Sequence, residues 1–125
     1  MDKALAAAYT KNSMMRSGIY CITNLKNGKR YVGQSVHVSE RVKQHLHKLK
    51  KGTHGNKVMQ AEYKTDWKYF KWELLEVCAV DKLGEREAYW SHHFDCFNPK
   101  HGYNKQEIRV KQLYTDPEAH KGSDR

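Results

Sequence analysis

Two tyrosine motifs flank a turn signal in the first third of the chain, and that arrangement limits what the segment can become. Gly18-Ile19-Tyr20 and Tyr31-Val32-Gly33 stand about a dozen residues apart, with Asn27-Gly28 between them. Asn-Gly between two apolar runs is a strong short-range signal for a tight β-hairpin. With residues 27 and 28 as the loop, Lys26 faces Lys29, Asn24 faces Tyr31 and Ile22 faces Gly33. Side chains alternate along a strand and opposed residues share a face. Tyr20, Ile22, Asn24, Tyr31 and Gly33 are therefore expected on one face. A four-residue loop keeps that parity, whereas a three-residue loop separates the tyrosines. Two phenols then converge beside Gly33, a glycine that leaves room for another group. That has the makings of a site.

Beyond the hairpin, Ser35 to Lys51 reads as a helix, with Ser35 or Ser39 as N-cap and Gly52 as the stop. Thr53 or His54 is expected to cap a shorter helix through about Tyr63. Phe70 to Val77 is aromatic and aliphatic with partial alternation, a third strand. Asp81 caps a third helix running to about Phe94, and Asn98-Pro99 with His101-Gly102 marks a loop. The 125 residues suffice for one domain with a modest core. They divide into a polar leader over 1–16, a domain over 17–104 and a polar tail over 105–125, a short helix or a disordered tail.

Two polar residues stand where the first helix should be apolar. At about 100° per residue, Val38, Val42 and Leu49 form one stripe, with His45 in its middle and Arg41 at its edge. Such groups need partners, because burying them unpaired costs about 2–7 kcal/mol. The third helix repeats the pattern, since Glu87 falls inside the arc of Leu83, Trp90 and Phe94. A buried carboxylate must be paired, protonated or bound to a metal ion. One reading is an Arg41–Glu87 ion pair that locks the core of a structural protein. The other is a ligand for a hard divalent cation, which takes oxygen donors, often one or two carboxylates plus substrate phosphate.

Charge favours the second reading. Lys and Arg number 23 against 14 Asp and Glu, a formal charge of +9, which points to a polyanion such as nucleic acid. From Arg41 to Lys57 the cations Arg41, Lys43, Lys48, Lys50, Lys51 and Lys57 occur without one acidic residue, a run that attracts a phosphate backbone. A carboxylate, an arginine, a histidine and a phenol beside a basic surface suit phosphodiester hydrolysis. No stretch approaches a membrane span and residues 1–17 lack the apolar core of a secretory signal, so a cytoplasmic placement is expected. Cys21, Cys78 and Cys96 are odd in number and widely spaced, which argues against a disulfide framework and against a structural zinc site.

Taken in order, these residues match a known pattern. Gly18-Ile19-Tyr20, Tyr31-Val32-Gly33, Arg41 with His45, Lys51-Gly52-Thr53-His54, Arg86-Glu87 followed by Trp90, and Gly102-Tyr103-Asn104 resemble the GIY-YIG nuclease domain of the phage and intron-homing type. The likeness covers about residues 17–104. It implies a small α/β fold in which helices flank a three-stranded antiparallel sheet. It also implies a DNA endonuclease using one divalent ion, Mg2+ or Mn2+, held by Glu87. Tyr20 would be the general base, helped by the metal and by His45, because a phenol ordinarily titrates near 10. Arg41 would clamp the scissile phosphate and Tyr31 would orient the phosphate or the water. His54 would lie near the site, and Asn104 would contact phosphate or brace the surroundings of the glutamate. Gly33, His54, Asn104, Lys43 and Lys48 are the expected substrate contacts. A non-catalytic nucleic-acid-binding module on the same fold is the alternative. Homing members usually carry a long DNA-reading module, whereas about twenty residues follow Asn104 here. Little sequence preference, reliance on a partner, or a homodimer cutting both strands are the expectations that follow.

Overall fold

The computed structural model describes residues 17–105. The expected leader and all of the expected tail except Lys105 lie outside the described residues. Three strands, β1 (Gly18–Asn24), β2 (Lys29–Ser35) and β3 (Phe70–Val77), form one antiparallel sheet in the order β2-β1-β3. Its helices are α1 (Val38–Lys51), α2 (Lys57–Asp66) and α3 (Leu83–His93). This is the small α/β architecture that the sequence led us to expect.

β1 runs through the centre of the sheet and all seven of its residues are buried. Its alternation supplies two cores. Tyr20 and Ile22 meet Val38, Val42 and Leu49 of α1, Met59 of α2, and Tyr103. Ile19 and Cys21 meet Leu83 of α3 and Cys96, with Trp90 and Phe94 packed alongside. Full burial of an aliphatic side chain such as Ile22 or Leu49 contributes about 1.5–3 kcal/mol. Two helices thus cover the tyrosine face and one helix the other.

The hairpin register differs from the two-residue loop. Asn24 pairs with Lys29, Ile22 with Tyr31 and Tyr20 with Gly33, which leaves a four-residue loop over 25–28. The two asparagines explain the longer loop. Asn24 Oδ1 accepts from Lys26 N–H and Asn27 Oδ1 from Lys29 N–H, both at 3.0 Å, local bonds that compete with a tighter turn. Parity survives, so Tyr20, Ile22, Asn24, Tyr31 and Gly33 do share a face.

Helix starts also shift. His37, not Ser35 or Ser39, occupies the N-cap of α1, and Ser35 Oγ instead accepts from His37 N–H at 2.9 Å. Gly52 ends α1 as expected, with φ 79°, a conformation that costs glycine little. Asn56, not Thr53 or His54, caps α2 by accepting from Met59 N–H at 3.0 Å, and the helix runs on to Asp66. Asp81 sits in a 3-10 turn (Val80–Lys82) ahead of α3 rather than capping it.

Beside β2 lies the segment 101–104. Arg30 N–H donates to His101 C=O at 3.1 Å and Tyr103 N–H to Arg30 C=O at 2.9 Å. Asn104 continues the ladder with its side chain, accepting from Val32 N–H at 2.9 Å and donating to Val32 C=O at 3.0 Å. This covers part of an edge that would otherwise expose unpaired peptide groups.

Candidate active site

The register places Gly33 under Tyr20, and it also decides what occupies the space there. A Cβ on Gly33 would overlap the Tyr20 Oη and Cζ atoms, so the room beside the glycine holds the phenol itself. Tyr20 is 1% exposed. Its hydroxyl lies 2.7 Å from His45 Nε2, and His45 Nδ1 lies 2.7 Å from His54 Nε2. His54 Nδ1 in turn accepts from the Asn56 backbone N–H at 2.9 Å. The expected core position of His45 is therefore correct, and its partners are a phenol and a second imidazole.

The helix seam and the loop after it both contribute to this row. Val38, Val42, His45 and Leu49 are the buried stripe of α1, so the imidazole is delivered to the sheet face by the helical period. His54 is positioned by side-chain bonds that no sequence periodicity signals. Its N–H donates to Gln60 Oε1 at 2.9 Å, and Gln60 Nε2 donates to Leu49 C=O at 3.0 Å. The Asn56 amide donates to Tyr103 C=O at 2.6 Å, fastening the loop from its other side.

Tyr31, Arg41, His45, Lys48, His54, Asn56, Asn104 and Lys105 border a cavity of about 410 Å³. Tyr31 meets the edge of His45, with ring centroids 5.3 Å apart. Arg41 Nη1 donates to Gln44 Oε1 at 3.0 Å, and its guanidinium charge is felt at both Tyr20 and His45. Of the expected substrate contacts, His54, Asn104 and Lys48 reach this cavity. Lys43 is exposed on α1 and is not among the described residues that border it. Asn104 spends its amide on Val32, so it braces the strand that carries Tyr31 and Gly33.

Glu87 approaches from the other face. It lies on α3, is 4% exposed, and its Oε1 accepts from Gln34 Nε2 at 2.5 Å. Gln34 follows Gly33 by one residue and so points to the α3 side. Sequence reasoning missed Gln34, although its parity, opposite to that of Tyr31 and Gly33, was a usable signal. Ladder pairing by the 101–104 segment stops at Val32, short of Gln34. The Glu87 charge is among the influences that raise the Tyr20 pKa, which places the carboxylate within electrostatic reach of the phenol.

The electrostatics of the row are lopsided. Burial pushes the Tyr20 hydroxyl well above the ordinary phenol range, the neighbouring Tyr31 adds to this, and Arg41 opposes it. Burial pulls His45 down to about 3, with the Arg41 charge acting the same way. His54 is lowered by burial and then by Lys48. Both imidazoles are neutral at neutral pH, and the phenol keeps its proton unless positive charge is added nearby.

No three His, Cys, Asp or Glu side chains gather into a metal-ligand group among the described residues. Glu87 is not among the described residues that border the cavity, and a hard cation such as Mg2+ takes oxygen donors, often one or two carboxylates with water and substrate oxygens completing its shell. A single buried carboxylate steadied by an amide fits that requirement. No helix among the described residues is long and apolar enough to cross a membrane.

Known proteins share this fold. The GIY-YIG catalytic domain family matches residues 16–104. "Intron-associated endonuclease 1" of Enterobacteria phage T4 is 36% identical over 78 residues, which make up 61% of this chain and 32% of that protein. The chain thus spans about a third of that relative's length. The catalytic domain of homing endonuclease I-TevI superposes with a TM-score of 0.64 at 32% identity, covering 71% of this chain and 97% of that one. A mutant of the I-TevI catalytic domain gives 0.63 at 33% identity, over 72% and 93%.

Proposed function

The chain belongs to the GIY-YIG family, and from that premise we propose that it is a metal-dependent DNA endonuclease that hydrolyses phosphodiester bonds. The observation that carries this reading is the row Tyr20–His45–His54 set beside Arg41 and a cavity edged by cations. A neutral core needs no such row, and a passive binder has no use for a buried phenol within reach of both a guanidinium and a carboxylate.

In this mechanism a scissile phosphate enters the cavity and a non-bridging oxygen takes the Arg41 guanidinium, which neutralises charge as the transition state forms. Tyr31 orients the phosphate or the water from the cavity wall. Tyr20, as phenolate, takes a proton from the attacking water while the bond from phosphorus to the leaving sugar oxygen breaks. Lys48 beside the cavity and the exposed Lys43, earlier on α1, draw in the flanking backbone. Gly33 lets the hydroxyl end of the Tyr20 ring come close to β2, and Asn104 holds that strand in place. Glu87 would hold a divalent cation, Mg2+ or Mn2+, which when bound would supply positive charge that favours phenolate and stabilises the phosphate. One site of this kind serves one strand at a time, so a double-strand break takes a second copy of the chain or a second encounter.

Supercoiled plasmid should be nicked in the presence of magnesium or manganese, and EDTA should stop the reaction. The Glu87→Ala variant should lose cleavage while keeping its thermal transition. A Glu87→Ala protein that cuts as fast as the parent would remove the carboxylate from the mechanism. DNA that is bound in a salt-dependent way but never cut would favour the non-catalytic module.

A further inference from the structure

The hydrogen-bond row behind Tyr20 has a direction, and a peptide group sets it. The Asn56 N–H donates to His54 Nδ1 at 2.9 Å. A ring nitrogen that accepts carries no proton, so neutral His54 bears its proton on Nε2. That nitrogen stands 2.7 Å from His45 Nδ1, which must then accept. His45 accordingly carries its own proton on Nε2, 2.7 Å from Tyr20 Oη. We propose that the Asn56 peptide N–H, acting through His54 as a positioning residue, locks His45 in its Nε2–H tautomer, so that His45 donates to the Tyr20 oxygen and the phenol turns its own proton away from the histidine row.

The opposite polarity fails at the far end. If Tyr20 donated to His45 Nε2, then His45 Nδ1–H would face His54 Nε2, and the remaining His54 proton would sit on Nδ1 against the Asn56 N–H. Protonating either imidazole sets two N–H groups head to head in the same way, and burial with the nearby Arg41 and Lys48 charges opposes it as well. The peptide cannot turn aside easily, because Gln60 holds the His54 N–H and Tyr103 C=O holds the Asn56 side chain.

This polarity gives the histidines a defined task within the proposed reaction, on which the inference rests. His45 is not the base that strips Tyr20. It is an oriented N–H that stabilises the phenolate once the proton has passed to water on the side away from His45. The atoms balance simply: the phenol O–H bond breaks outward, the oxygen keeps its electron pair, and no proton passes along the histidine row.

Long-range 1H–15N correlation spectra of the histidine-labelled full chain, free of DNA and metal, read each tautomer directly. The signals are assigned by their loss in His45→Gln and His54→Gln. Both rings are expected to be protonated on Nε2 alone at neutral pH. Finding His45 protonated on Nδ1, or as a cation, would overturn the proposal. Because this reading needs no catalysis, an inactive protein leaves it intact and refutes only the proposed function. Cleavage supplies a second arm. His54→Gln still offers His45 an N–H donor, whereas His54→Glu offers an acceptor that draws the proton to Nδ1. His54→Glu should lose about 10²–10⁴-fold in cleavage rate and His54→Gln at least tenfold less. Equal losses in two variants that both unfold cooperatively at the parent's temperature would refute the positioning role.

Discussion

Tyr20 has to be a core residue and a reactive phenol at once. Its ring belongs to the apolar cluster under α1 and α2, yet its hydroxyl is the end of a polar row. Removing only the oxygen separates these two duties. Tyr20→Phe should keep the ring's packing and cost about 1–3 kcal/mol, since His45 loses a buried partner. Its cleavage rate should fall about 10²–10⁴-fold. Plasmid nicking compared with thermal unfolding checks both, and an unchanged rate removes the phenol from the chemistry. Gly33 depends on the same contact from the opposite side. Gly33→Ala pushes a methyl group into the phenol, so the ring must leave His45 or the strand must bend, at about 1–3 kcal/mol. A fall of about 4–8 °C in melting temperature per kcal/mol, together with lost nicking, is the expected result. Undiminished activity in that variant would show that the ring can be displaced at no cost to catalysis.

At the scale of elements, Glu62 of α2 ties three distant pieces together. It accepts from Asn24 at 3.2 Å, Asn27 at 2.8 Å, Lys29 at 3.0 Å and the Tyr103 hydroxyl at 2.5 Å. Burial by itself would raise its pKa, but donors led by Tyr103 and Asn27 outweigh that and leave it lowered. Glu62→Ala should leave several of these groups short of partners and cost about 1–3 kcal/mol, read as a lower denaturant midpoint with cleavage of correctly folded protein retained. The hub also shows where sequence reading stops. Period-2 and period-3.6 patterns located the tyrosine face, the ends of β3, and His45 and Glu87 as buried polar groups. Those signals are local and arise from burial itself. The hairpin register turned on two asparagine side chains that fold back on the loop, which the Asn-Gly signal does not encode. The expected start of α2 falls too early, at Thr53 or His54, which are polar, whereas Asn56 is the residue whose side chain is placed to cap the helix. Asn104 was unplaceable for another reason, because its partner Val32 is 72 residues away.

For the molecule as a whole, the buried imidazoles and thiols bracket the pH range of stability. His45 titrates at about 3 when folded, against an ordinary 6.5. Between those values the unfolded chain holds a proton that the folded chain does not, so stability is complete above 6.5 and declines as pH falls toward 3. Cys21 and Cys96 act at the other limb, raised by burial to about 11 and 12 from 9.0. Unfolded thiols ionise first, so stability declines above pH 9. Melting temperature should therefore plateau between about 6.5 and 9, and His45→Gln should flatten the slope just below 6.5. An equally steep acid limb in that variant would assign the effect to other groups. The segment pinned along β2 carries a different consequence. Asn104 and Lys105 both border the cavity, so Lys105 is an attachment point at the site itself. Anything fused directly at that point stands on the substrate's threshold, and a bulky cargo there competes with nucleic acid for entry.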